Sequence, residues 1–110
     1  VKNDFAQDLS PTEKDVLFAA QAPTAAGALG ENVSAAAWKT KPSWYLVANQ
    51  DRAIQPSLER AMAKTIKAKT IEVAASHVAM LARPQETANL ILEATARACD
   101  RSATRSESRG

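Results

Sequence analysis

The chain has little of what disulfide-bonded, metal-binding and nucleic-acid-binding proteins are built from. Its 110 residues include one cysteine and one histidine, three glycines, and only 5% aromatic side chains. Cys99 has no partner for an internal disulfide, and one cysteine with one imidazole gives no metal-ligand spacing. No metal and no other cofactor is expected, and Cys99 reads as a small packing residue in a final helix. The net charge is +2, with the excess on Arg97, Arg101, Arg105 and Arg109 near the C-terminus. No aromatic residues interleave with those arginines to stack on bases, so they read as a solvated tail and no nucleic-acid partner is expected. No apolar run is long enough to span a bilayer and no signal-peptide pattern is present, so no membrane partner is expected. The chain opens on Val1 rather than methionine, which suggests a processed, truncated or excised segment. The compartment therefore stays open, with the cytoplasm as the default.

What is present suits one α/β unit at most. Apolar residues reach 45%, but alanine is the commonest of them, so the core should be light. Val1 to Leu9 shows no period. In "SPTEKDVLFAAQAP", Ser10 can cap a helix, Pro11 suits its first turn, and Glu13 completes a capping box. Val16, Leu17 and Ala20 form its apolar stripe, and Pro23 should end it. Gly27 and Gly30 mark turns before a loop containing Trp38. The run Trp44, Tyr45, Leu46, Val47 is the clearest strand, and its continuity is typical of a strand covered on both faces. "QPSLERAMAKTIKA" reads as a helix with Pro56 in its first turn and Leu58, Met62 and Ile66 recurring every fourth residue. "KTIEVAAS" is a second strand. "RPQETANLILEATARACD" is a third helix, with Ala88, Ile91, Leu92 and Thr95 on its apolar face. From Asp100 onward the polar composition predicts disorder.

A strand, a crossover helix and a second strand make a right-handed parallel unit. Two strands alone are marginal and leave their edges open, so the sequence describes part of a larger sheet. Asp51 follows the first strand and His77 the second. In a parallel pair both emerge at the same sheet edge, where neighbouring strands about 4.8 Å apart would let them meet. That carboxyl edge is where open α/β sheets bind ligands. Singly, an Asp after a strand is most often a turn former and a His there a surface or capping residue. Together, an Asp that orients an imidazole supplies two members of a nucleophilic triad.

The segments "YLVANQDRAIQP" and "ASHVAMLARPQETANLILEA", separated by a helix and a strand, resemble the C-terminal part of an α/β-hydrolase. They are most similar to the bacterial esterase-like branch related to plant methylesterases and hydroxynitrile lyases. In that family the acid follows the seventh strand in an Asp-x-x-hydrophobic-x-Pro context, matched here by Asp51, Ile54 and Pro56. The histidine follows the eighth strand in a Ser-His context with a Pro-bearing helix start after it, matched by Ser76, His77 and Pro84. The resemblance covers Trp38 to Ala96 well and Ser10 to Ala37 more weakly. It implies an α/β fold in which residues 41–99 are the C-terminal βαβα portion of a parallel sheet. Residues 1–40 would be the end of a helical cap region with its connecting helix, and residues 100–110 a disordered tail. It implies His77 as base and then acid, Asp51 as the residue fixing its tautomer, and a small-molecule ester as substrate. Val78, Met80 and Leu81 would line the acyl or alcohol pocket, although apolar residues after a strand usually serve the core.

The chain departs from the family in two respects. The nucleophile belongs in Gly-x-Ser-x-Gly, and neither Gly27, Gly30 nor Gly110 flanks a serine in that pattern. The oxyanion loop of the family is absent too. Ser10, Ser34, Ser43, Ser57 and Ser76 each read as cap, loop or turn residues. The expectation is therefore a hydrolase portion carrying acid and base but no nucleophile, inactive by itself. It would need the rest of the hydrolase sheet, or self-association, to cover its open edges. The alternative is a non-catalytic hydrolase relic or interaction module working through those edges. A lyase reading turns on a lysine near the histidine, and Lys64, Lys67 and Lys69 all precede the second strand, at its far end.

Overall fold

The β-branched and aromatic residues that favour extended backbone do form the two strands. Trp44–Ala48 is β1 and Lys69–Val73 is β2. They pair in parallel, Trp44 opposite Lys69 and Ala48 opposite Val73, so their carboxyl ends are flush. The computed structural model describes the backbone of residues 2–107 and the side chains of residues 2–98. Within these the element order is α1 (Pro11–Ala20), two single 3₁₀ turns (Ala26–Leu29 and Ala37–Lys39), β1, α2 (Pro56–Thr65), β2, α3 (Ala79–Ala82) and α4 (Pro84–Glu107). Among the described residues the sheet has two strands and is incomplete. No described helix is long and apolar enough to cross a membrane.

Local chemistry sets the element ends. Ser10 caps α1: its hydroxyl accepts from Glu13 N–H, and Glu13 Oε2 accepts from Ser10 N–H at 3.0 Å. Pro56 and Pro84 open α2 and α4, where a missing N–H costs nothing. α2 closes with Ala68 N–H donating to Ala63 O (2.9 Å) and Lys67 N–H to Lys64 O (3.1 Å). Lys67 holds the left-handed turn position, φ 53°, which favours glycine. Lys67→Gly should therefore stabilise the chain by about 0.5–1 kcal/mol, read from the urea midpoint.

Packing departs from the sequence pattern in three places. On α2 the buried residues are Glu59 and Ala63, one step round the helix from the apolar stripe. Leu58, Met62 and Ile66 instead border, with Trp38, an open groove of about 410 Å³. On α4 Leu90 is buried, whereas Ile91 and Leu92 are 59% and 65% exposed. On α1 Leu17 alone of the predicted stripe packs inward, against Ala6, Leu9 and Val78, while Val16 stays exposed. The disorder expected from Asp100 onward is also corrected as far as residue 107, while residues 108–110 lie outside the described residues. The α4 backbone continues to Glu107, because its alanines, arginines and glutamate are good helix formers and no Pro or Gly intervenes. The side chains of Cys99 and of Arg101, Arg105 and Arg109 lie outside the described residues.

The core is small, as an alanine-rich composition dictates. One cluster joins Ala48, Val73, Ala75 and Ala79 under Leu46 and Ile71. The other joins Ala6, Leu9 and Val78. Lys69 bonds Glu93 on α4 at the amino end of the sheet (2.5 Å), far from the carboxyl edge. Arg60 spans from α2 to Glu72 on β2 with two hydrogen bonds. Both pairs are solvent-exposed, so each contributes little to stability.

Candidate active site

The flush strand ends decide what meets at the carboxyl edge. Beyond β1 and β2 the ladder continues briefly, with Asn49 N–H donating to Val73 O (3.0 Å) and Gln50 N–H to Ala75 O (3.2 Å). Both loops are thus still side by side when Asp51 and His77 leave them. Asp51 folds back over its own loop: Oδ1 accepts from Ala53 N–H at 2.7 Å and from Ile54 N–H at 2.9 Å. This side-chain turn is one that Asp favours. It leaves Oδ2 free, and Oδ2 lies 2.6 Å from His77 Nδ1. The Asp51 side chain is 1% exposed, while the His77 ring is 31% exposed. The acid is sequestered and the imidazole opens onto a cleft of about 300 Å³.

A third titratable group belongs to the site. Glu59, 4% exposed on α2, borders the same cleft. Its Oε2 accepts from Ala48 N–H at 2.9 Å, and its carboxyl is within hydrogen-bond reach of Asp51. Burial pushes the Asp51 carboxyl up, but hydrogen bonds from Glu59, Ile54 N–H, His77 and Ala53 N–H together hold it below the ordinary carboxylate range. Burial likewise pushes Glu59 up, and there the adjacent Asp51 adds to the effect; the Ala48 N–H opposes it, and Glu59 reaches about 7. Asp51 is therefore the ionised member and the natural acceptor for His77 Nδ1–H. In a neutral imidazole, a proton on Nδ1 leaves Nε2 with its lone pair.

Sequence reasoning singled out Asp51 and His77, and the fold brings them together. It missed Glu59, because a lone acid in a helix reads as solvated charge. Its position four residues before the buried Ala63 was the available signal. It also missed the segment before α1. There Asp8 Oδ2 accepts from Ser76 N–H (2.7 Å), Gln7 Nε2 donates to Gln50 O (2.6 Å), and the Phe5 ring lies 4.6 Å from the His77 ring, centroid to centroid. Residues 5–8 thus brace both loops of the site.

Of the three residues expected to line a substrate pocket, Met80 alone borders the cleft. Val78 is corrected to a core residue, 5% exposed against Ala6 and Leu9, because it faces the N-terminal segment instead. Leu81 lies in the short α3 turn, half-exposed and outside the cleft lining. Ser76 is fully buried, with its hydroxyl unpaired, so it offers no accessible nucleophile beside His77.

A parallel strand pair thus carries a buried acid and a half-open imidazole at its carboxyl edge. Residues 1–90 match the model described as "Alpha/beta hydrolase family", and the chain belongs to that family. The match extends through Ser10 to Ala37, where the resemblance in sequence was weaker. Comparison with curated proteins and with solved structures finds no match.

Proposed function

We propose that this chain supplies the acid and the base of a serine hydrolase acting on carboxylic esters or similar small carbonyl compounds. The nucleophile would come from a Gly-x-Ser-x-Gly segment outside these 110 residues. The observation that carries the reading is the 2.6 Å contact between His77 Nδ1 and a sequestered Asp51 Oδ2. In the reaction His77 Nε2 takes the proton of the serine hydroxyl as its oxygen bonds to the ester carbonyl carbon. The tetrahedral adduct then expels the alcohol, which receives that proton from His77. Water repeats the sequence on the acyl-serine and releases the acid. Asp51 keeps its charge throughout, fixing the tautomer and stabilising the imidazolium. Met80, with Leu46 and Ile54, gives the cleft an apolar wall suited to an acyl or alkyl group. A lyase role has less support, since Lys69 is engaged by Glu93 at the opposite end of β2.

Fluorophosphonate labelling tests this, since the probe reports a serine activated by its base. The expected result is no labelling of the 110-residue chain and stoichiometric labelling of a chain extended upstream in its reading frame. Labelling of neither would reject the proposal.

The open sheet edges favour one second reading, a hydrolase relic that works by binding, either to a hydrolase sheet or to a second copy of itself. The exposed Val16, Phe18, Ile91 and Leu92 would be covered in that association. Its self-association form predicts a dimer or larger species in sedimentation; a monomer that melts cooperatively would contradict that form.

A further inference from the structure

The acid–base scheme leaves Glu59 without a task. A carboxyl this buried, against a second carboxylate, is a costly arrangement unless one of the two keeps a proton. Donors decide which one. Asp51 receives Ala53 N–H, Ile54 N–H and His77 Nδ1, whereas the one hydrogen-bonded N–H on Glu59 comes from Ala48. The carboxylate with more donors is Asp51, so the proton resides on Glu59.

We infer that Glu59 is a positioning residue: its carboxylic acid donates to the Asp51 carboxylate while Ala48 N–H anchors it to β1, holding Asp51 in line with His77. The inference rests on the reading of Asp51 and His77 as acid and base. The anchor is doubled, because Asp51 N–H donates to the carbonyl of the same Ala48 (3.1 Å). Asp51 is thereby fixed from three sides: its own loop, the His77 ring and α2. Glu59 joins the crossover helix to the catalytic loop through a bond that exists only while it is protonated.

The groups around Glu59 set when that bond breaks. Tyr45 faces it from β1, Asp51 from the loop that follows, and His77 from the loop after β2. Arg60, next to it on α2, is turned to Glu72, and α4 presents the neutral Thr87 to the cleft. Because the folded-state value of Glu59 lies above its ordinary 4.5, its contribution to stability is full below that pH and lost as pH rises through about 7. Asp51 behaves oppositely: lowered from 3.8, it contributes above that value and fails only in stronger acid.

The test is a carbon-13 titration of the Glu59 and Asp51 carboxyls in the full 110-residue chain. It is accompanied by thermal melts of the chain and of Glu59→Gln between pH 5 and 8. Glutamine can accept from Ala48 N–H and donate to Asp51 at any pH. The expected result is a Glu59 midpoint near 7, with the Asp51 resonance moving in step. The melting temperature of the chain should fall over that range, and that of Glu59→Gln should stay flat. A Glu59 midpoint near 4.5, or an unchanged pH slope in Glu59→Gln, would overturn the inference. The titration of the unmodified chain stands even if the variant fails to fold. An extended chain that never labels would sink the hydrolase reading without touching this titration. An ordinary Glu59 midpoint with labelling intact would sink only the role of Glu59.

Discussion

Asp51→Asn should slow fluorophosphonate labelling of the extended chain by about 10⁴-fold while leaving the fold in place. Asparagine keeps an oxygen for the Ala53 and Ile54 amides, so the loop retains its turn. Its NH₂ then faces His77 Nδ1 at the present 2.6 Å contact and can only donate there. That forces the imidazole proton onto Nε2, the nitrogen that must accept from serine. His77→Ala should cost at least as much, since it removes the base itself. A loss below about tenfold in either variant would remove Asp51 or His77 from the chemistry, because a merely structural residue at the cleft does not carry a term of several kcal/mol.

Asp8→Ala should release the histidine loop. Asp8 Oδ2 accepts from Ser76 N–H at 2.7 Å, and Ser76 is fully buried. Leaving that N–H without a partner costs about 1–3 kcal/mol. The loss is local, so amide exchange at Ser76 and His77 should accelerate by roughly 5- to 150-fold. Asp8→Asn, which retains an acceptor, should restore most of the protection. Exchange unchanged in Asp8→Ala would show that the segment before α1 does not support the site. The same contact explains why an unpatterned stretch at residues 2–9 matters: it has no helical or strand period because its work is done by single side chains from turns.

The parallel unit was legible from residue type and order. Trp44 to Val47 gave a strand, Pro56 a helix start, and the "TIEV" of β2 its parallel partner. Once the strands were parallel, the meeting of Asp51 and His77 followed from both residues lying just past the strand ends. The capping box at Ser10 was equally local and equally readable. What could not be read was the rotation of each helix about its own axis. Apolar recurrence picked out Leu58, Met62 and Ile66 on α2, but the buried residues there are Glu59 and Ala63. Likewise Leu90, and not Ile91 or Leu92, anchors α4. In a chain this rich in alanine the small residues let backbones approach closely, so the larger apolar side chains end at the margin. Buried Glu59 was hidden by the same habit of reading, because its neutrality depends on a neighbour that only the fold supplies.

The most direct test of the account is the nitrogen-15 spectrum of His77 in the unmodified chain. Being the single histidine, it gives two ring resonances with no ambiguity of assignment. The expected result is that, in neutral imidazole, the proton sits on Nδ1, facing Asp51, and Nε2 is bare. A proton on Nε2, or two nitrogens averaged by rapid exchange, would contradict the claim that Asp51 orients this imidazole as a base.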